Sequence, residues 1–314
     1  MRSLSILLAS PRGFCAGVER AIETVEESLD RFGAPVFVRH QIVHNPWVVS
    51  GLAAKGTIFV EELDEVPDGA PVVFSAHGVA KSVRSEAERR RLPHIDATCP
   101  LVTKVHREVE HHSAAGRKII LIGHAGHPEV VGTMGQAPDG SVILVQSAAE
   151  AAAIAVDGSA SYGLVTQTTL SVMDAEEITA ILRRRISQLH EASKSDICYA
   201  TTNRQRAVAA IAPRCNAVIV VGGSNSSNSR RLVEIACDAG YRKAILIERA
   251  DGLDPLFLND VSTLGITSGA STPEVLVTEL IEHLSAHFEL SVEEIVIATE
   301  EVQFRLPVTA HRSG

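Results

Sequence analysis

The sequence predicts an α/β protein with mainly parallel sheets, built from three related blocks, and three observations carry that prediction. Short β-branched runs alternate with stretches of helical periodicity along most of the chain, the pattern of strand–helix–strand crossovers. Three cysteines, Cys15, Cys99 and Cys198, each stand at the corner between such a run and an amphipathic stretch. Residues suited to binding anions or metals then recur at matched intervals. His44 lies 29 residues after Cys15, His127 lies 28 after Cys99, and Ser227 lies 29 after Cys198. His77, Thr168 and Ser271 follow the same cysteines by 62, 69 and 73 residues. Ligands of open parallel sheets bind beyond the carboxyl ends of strands. Three copies set about an axis would therefore turn all these residues toward one central cleft.

The first block, residues 1–97, opens on a strand at Ile6–Ala9. Val18, Ala21, Ile22, Val25, Leu29 and Phe32 follow at helical spacing, and Gly33 closes that helix. Strands are expected at Val36–Val38, Thr57–Val60 and Val72–Phe74, with helices near Pro46–Lys55 and Val79–Arg91. The second block, 98–194, restarts at Cys99. Its first helix runs to about Ala115 and stops at Gly116, and strands follow at Ile119–Ile122, Val142–Val145 and Gly163–Val165. The third block, 195–289, restarts at Cys198, with strands at Ala217–Val221, Ala244–Ile247 and Leu264–Thr267 and helices at Arg230–Ala239 and Pro273–Phe288. Residues 290–314 read as a separate C-terminal tail.

Composition narrows the function. The 314 residues carry a formal net charge of −9, which argues against a general nucleic-acid or anionic-membrane surface. No apolar run approaches the length of a membrane span. Leu4–Ala9 is shorter than the apolar core of a signal peptide, and Pro11-Arg12-Gly13 follows at once, so it reads as a strand. Five cysteines without close pairs fit a reducing cytoplasm better than a disulfide framework.

At each corner a cysteine precedes a helix, where free backbone N–H groups and the helix dipole favour thiolate over thiol. Pro100 suits the first helical position because its missing N–H would be unpaired there. A buried cysteine is ordinarily a small hydrophobe, and Cys215 and Cys237, which lack the corner context, read as packing residues. Separations of 84 and 99 residues between the corner cysteines match no zinc-ribbon spacing. Three thiolates at one point would hold an iron–sulfur cluster with one iron left open, or a zinc ion with a water. Gly123–Glu129, with His124, His127 and Glu129 on a glycine-permitted loop, could bind metal, bind an anion or transfer protons. Gly222–Arg230 joins a strand to a helix through small hydroxyl and amide side chains, a donor-rich nest for phosphate oxygens. It has neither Walker nor dinucleotide spacing. With His44 and His77 it would form a diphosphate pocket.

Pro11–Gly17, Asp96–His106, Gly123–Glu129, Thr166–Ser171, Asp196–Gln205 and Asn225–Ser229 together resemble the 4-hydroxy-3-methylbut-2-enyl diphosphate reductases, in order from about residue 4 to 285. The resemblance implies a trefoil of three pseudo-threefold-related α/β subdomains around an iron–sulfur cleft. It implies removal of an allylic hydroxyl with two electrons and two protons, the last step of the non-mevalonate isoprenoid pathway. Cys15, Cys99 and Cys198 match the ligands of a [4Fe-4S] cluster, one per chain. His44, His77, His127, Ser226, Ser227, Asn228 and Ser271 match diphosphate-binding positions. Glu129 matches the proton donor and Thr168 its partner near the substrate hydroxyl; apart from the resemblance, a local relay through Thr168 and His127 would resupply the proton of Glu129. The expected partners are the small diphosphate and a one-electron donor protein of ferredoxin or flavodoxin type. Two other readings share these residues: a zinc hydrolase of a phosphorylated metabolite with Glu129 as base, and a non-catalytic iron–sulfur sensor.

Overall fold

The computed structural model of the chain describes residues 2–238 and 243–307. The expected helix end at Ala239 and the last part of the tail, 308–314, lie outside them. In chain order the first elements are β1 (Arg2–Ser10), α1 (Ala16–Phe32), β2 (Val36–Arg39), α2 (Pro46–Ala54), β3 (Thr57–Val60), β4 (Val72–Phe74), α3 (Lys81–Arg89) and β5 (His94–Asp96). After Cys99 come α4 (Pro100–Ala114), β6 (Lys118–Ile122), α5 (Pro128–Met134), β7 (Val142–Val145), α6 (Ala148–Ala153), β8 (Tyr162–Thr166), α7 (Val172–Arg185) and β9 (Leu189–Glu191). After Cys198 come α8 (Tyr199–Ile211), β10 (Ala217–Val221), α9 (Ser227–Asp238), β11 (Ala244–Ile247), β12 (Thr263–Ser268), α10 (Glu274–Ser285) and β13 (Phe288–Val296).

The fold is α/β with three sheets, ordered β11-β10-β12-β1-β13, β3-β2-β4-β5 and β7-β6-β8-β9. Every strand pairing in them is parallel. The chain divides into two compact units. Among the described residues the first takes 2–18, 44–48 and 199–303, and the second takes 19–43, 49–198 and 304–307.

The first unit holds the five-stranded sheet. Alternation along β1 sends Leu4, Ile6 and Leu8 into one core with Leu276, Val277 and Leu280 of α10. Leu7 and Ala9 enter another with Val208 and Ile211 of α8 and Leu232 of α9. Two findings depart from the sequence reading. β1, read as opening the first block, lies between β12 and β13, pairing Ile6 with both Leu264 and Val292. The segment beyond Leu290 begins not as a detached tail but as an edge strand, because β13 pairs with β1 from Phe288 to Val296. Its Glu289, Ser291, Glu293 and Glu294 are exposed, so no continuous apolar run announces it.

The second unit holds the two four-stranded sheets. Ile119, Ile120 and Leu121 in the centre of β6 are wholly buried, as a parallel strand covered on both faces requires. Ile120 and Ile122 pack with Ile178 and Leu182 of α7, and Ile119 and Leu121 with Val105 and Val109 of α4. In the other sheet Val72 and Phe74 pack with Ala87 of α3. Each such aliphatic side chain contributes on the order of 1.5–3 kcal/mol.

Candidate functional site

All three corner cysteines immediately precede a helix: Cys15 before α1, Cys99 as N-cap of α4 with Pro100 in its first turn, and Cys198 before α8. None is in a disulfide, and all are half-buried. Their backbones follow one scheme. The N–H of Cys15 donates to the carbonyl of Ala270 at 3.2 Å, that of Cys99 to Ala76 at 3.0 Å, and that of Cys198 to Thr168 at 3.1 Å. Each acceptor lies in the strand-end segment of the preceding block, with Ala270 of the third serving Cys15 of the first. The acidic residues ahead of the cysteines shape the corners. Asp96 accepts from the N–H of Thr98 at 2.9 Å and from its hydroxyl. Asp196 accepts from the N–H of Thr166 at 3.1 Å. For Cys15 the expected thiolate character is overridden: burial pushes the thiol up, against the Arg204 charge and the N–H groups of Val18 and Gly17. Cys215 is buried and donates to the carbonyl of Ile211. Cys237 is exposed, so it is not the packing residue expected; Leu232 and Ala236 supply the buried face of α9 instead.

Cys15, His44, Ser226, Ser227, Asn228 and Ser271 belong to the first unit. The hydroxyl of Ser271 donates to the carbonyl of His44 at 3.0 Å. That carbonyl is also a close neighbour of Gly223, where an added Cβ would lie 2.8 Å from it. Ser227 and Asn228 open α9, so the hydroxyl-rich loop delivers them to a helix N-terminus. Asn228 Oδ1 accepts from the N–H of Ala270 at 2.9 Å. Its buried Nδ2 has no partner, a donor aimed at nothing in the protein.

Cys99, Cys198, His77, His127, Glu129 and Thr168 belong to the second unit. The rings of His77 and His127 meet edge to face at 5.7 Å. His127 caps α5, its Nδ1 accepting from the N–H of Glu129 at 3.2 Å, which puts the proton of a neutral ring on Nε2. Gly78, with φ of +80°, leaves no room for a side chain: a Cβ would lie 2.6 Å from the ring of buried His106. His124 is exposed; its backbone N–H donates to the side chain of Gln167 at 3.0 Å and its carbonyl accepts from the N–H of His127 at 3.2 Å. Glu129 is 2% exposed. Its Oε1 accepts from the N–H of Thr168 at 2.6 Å and its Oε2 from the Thr168 hydroxyl at 2.9 Å. Burial nonetheless pushes this carboxyl up to about 7, with the negative charge of Asp196 adding to the effect against the two Thr168 bonds. A carboxylic acid that is neutral below pH 7 and ionised above it is suited to giving a proton.

Among the described residues no group of three or more His, Cys, Asp or Glu side chains is gathered so as to hold a metal ion. No helix among them is long and apolar enough to cross a membrane.

The family described as "LytB protein" matches residues 6–285. A 4-hydroxy-3-methylbut-2-enyl diphosphate reductase of Ruegeria pomeroyi is 56% identical over 304 residues, covering 97% of this chain and 96% of the relative. The solved E-1-hydroxy-2-methyl-but-2-enyl-4-diphosphate reductase of Plasmodium falciparum superposes with a TM-score of 0.92 at 38% identity, over 98% of this chain and 96% of that one. A second solved structure, described as (E)-4-hydroxy-3-methyl-but-2-enyl diphosphate reductase, the terminal enzyme of the non-mevalonate pathway, gives 0.64 at 32% identity, over 90% and 99%.

Proposed function

The chain belongs to the LytB protein family, and from that premise we infer that it is an oxidoreductase acting on 4-hydroxy-3-methylbut-2-enyl diphosphate at the end of the non-mevalonate pathway. It removes the allylic hydroxyl as water with two electrons and two protons, leaving isopentenyl and dimethylallyl diphosphates. The donor set fits an iron–sulfur group: three thiols outside any disulfide, Cys15, Cys99 and Cys198, in one repeated backbone setting. These three would hold a [4Fe-4S] cluster with one iron lacking a protein ligand. Such a group supplies electrons singly and an open Lewis-acid site.

The chain's own residues bind, orient and protonate. His44, His77, His127, Ser226, Ser227, Asn228 and Ser271 are the donors this reading assigns to the diphosphate. Binding energy gathered there, away from the reacting carbon, positions the hydroxyl. Glu129 supplies protons to the leaving oxygen and the allylic carbon, and Thr168 fixes both oxygens of its carboxyl group. His127, bonded to the backbone of Glu129, stands in the relay that restores the proton. The protein works in the cytoplasm with a ferredoxin- or flavodoxin-type donor delivering one electron at a time.

The observation that carries this reading is the Glu129–Thr168 pair. A carboxyl raised to about 7 still carries its proton in part at neutral pH and can give it to the leaving oxygen. The test is anaerobic purification, iron and sulfide counts, and turnover of the allylic diphosphate with a strong one-electron reductant. Iron and sulfide with reductant-dependent formation of both products are expected. A colourless zinc protein, or an iron–sulfur protein without turnover, sinks the reading.

A further inference from the structure

Beyond the cysteines and their backbone bonds, each corner is held by a cation from another helix. Arg20, five residues after Cys15 on α1, donates from Nη1 to the carbonyls of Ala97 at 3.1 Å and Thr98 at 3.0 Å, directly before Cys99. Lys104, five residues after Cys99 on α4, donates from Nζ to the carbonyls of Lys194 at 3.0 Å and Ser195 at 3.1 Å. It also donates to Oδ1 of Asp196 at 3.0 Å, in the loop that ends at Cys198. Arg204, six residues after Cys198 on α8, donates from Nη2 to the carbonyls of Gly13 at 2.7 Å and Phe14 at 3.2 Å, directly before Cys15. The helix behind one cysteine thus secures the loop in front of the next, and the third returns to the first.

Arg204 is wholly buried and Arg20 is 8% exposed, a placement long cations rarely adopt unless every donor has work. Their remaining donors reach the chain's C-terminal segment: Arg204 Nη1 bonds Glu300 at 3.0 Å and Arg20 Nε the carbonyl of Arg305 at 2.8 Å. Planarity of the trans peptide makes the bracing directional. Where the carbonyl of Thr98 or Phe14 is drawn to a guanidinium, the N–H of the following cysteine is turned the opposite way. Those N–H groups are the ones donating to Ala76 and Ala270.

We propose that Arg20, Lys104 and Arg204 are positioning residues, each setting the cysteine of the following block, rather than the one on its own helix, as a ligand of the iron–sulfur group. This rests on the iron–sulfur reading above. The outer partners of metal ligands, once removed, ordinarily cost roughly 10–100-fold in metal affinity. Arg20→Met, Lys104→Met and Arg204→Met are purified anaerobically with the wild-type chain, and each holoprotein is challenged with an iron chelator and iodoacetamide. Iron loss is followed optically, and mass spectrometry reports which cysteine is alkylated first. The expected result is iron loss faster by roughly 10–100-fold, opening first at Cys99 for Arg20→Met, at Cys198 for Lys104→Met and at Cys15 for Arg204→Met. Arg20→Lys, Lys104→Arg and Arg204→Lys should recover much of the wild-type rate. Opening at the cysteine on the variant's own helix, opening of all three alike, or wild-type rates would overturn the proposal. Lys104, whose side chain is 33% exposed, keeps the comparison decisive if Arg204→Met does not fold. A wild-type chain without iron or sulfide defeats the iron–sulfur reading instead, and the alkylation order of the metal-free full chain then still tests the bracing.

Discussion

A carboxyl group as deeply buried as Glu129 must be neutral or compensated, and the two bonds from Thr168 compensate it only in part. Its value rises from 4.5 to about 7 on folding. The folded chain therefore binds this proton more tightly than the unfolded one. The stability it contributes is full below about pH 4.5 and is lost as the pH rises through 7, on the order of 3 kcal/mol in all. Glu129→Gln keeps the shape and removes the titration. Urea unfolding of the metal-free chain at pH 4.5 and pH 8 should show the wild type losing ground to the variant by about that amount, and parallel pH profiles would mean that Glu129 is already solvated or ion-paired. The same variant should bind substrate and assemble its metal group while turnover falls by roughly a hundredfold or more, the scale for losing an acid–base group. Wild-type turnover should itself decline as the pH climbs past 7 and the donor ionises. Near-normal turnover in Glu129→Gln would assign the proton to another source, such as the substrate's own diphosphate.

Strands were legible where they form unbroken apolar runs and illegible where most of their residues face solvent. Ala217–Val221 of β10 and Ile119–Ile122 of β6 are unbroken apolar runs because parallel strands are covered twice. The edge strands β9 and β13 expose half or more of their residues and leave no such run. The cysteine corners were legible because a proline or a change of periodicity marks a helix start. Their bracing was not, since a Lys or Arg in an amphipathic helix ordinarily reads as its wet face; the signal was its recurrence five or six residues after each cysteine. The strand-to-helix loop into α9 was legible, but not that glycines pack its first turn. An added Cβ at Gly269 would lie 2.0 Å from Ser229 Oγ and 3.5 Å from Asn228 Oδ1. Gly269→Ala should therefore shift the first turn of α9, break the bond from Ala270 to Asn228, and weaken diphosphate binding about tenfold, the worth of one hydrogen bond to a charged group. Calorimetric titration with inorganic diphosphate measures it. Adding Ser229→Gly, which removes the clash, should restore the affinity; unchanged binding in Gly269→Ala would take this turn out of the pocket.

Across the whole molecule, the threefold recurrence of chemistry was readable by counting, because it is local to each block. Pairing of the first strand with the last was not, because contacts between residues such as Ile6 and Val292 leave no mark on either neighbourhood. The C-terminal segment shows what that hides. After β13 the N–H of Ile297 donates to the carbonyl of Ser10, and Glu300 then reaches Arg204 and the side-chain amide of Asn203. Arg204 has no exposed surface, and Glu300 is its carboxylate partner. Truncating one member of a buried ion pair leaves the other charged and poorly solvated, at a cost of about 3–5 kcal/mol. Glu300→Ala should destabilise the metal-free chain by that amount in urea. Glu300→Gln, which keeps an acceptor for Arg204, should cost distinctly less. Because the pair is shielded from solvent, the loss should persist at high salt, where a surface pair would already be screened. A loss that vanishes with added salt, or equal effects of the Ala and Gln variants, would show that Arg204 is satisfied by the backbone carbonyls of the Cys15 loop alone.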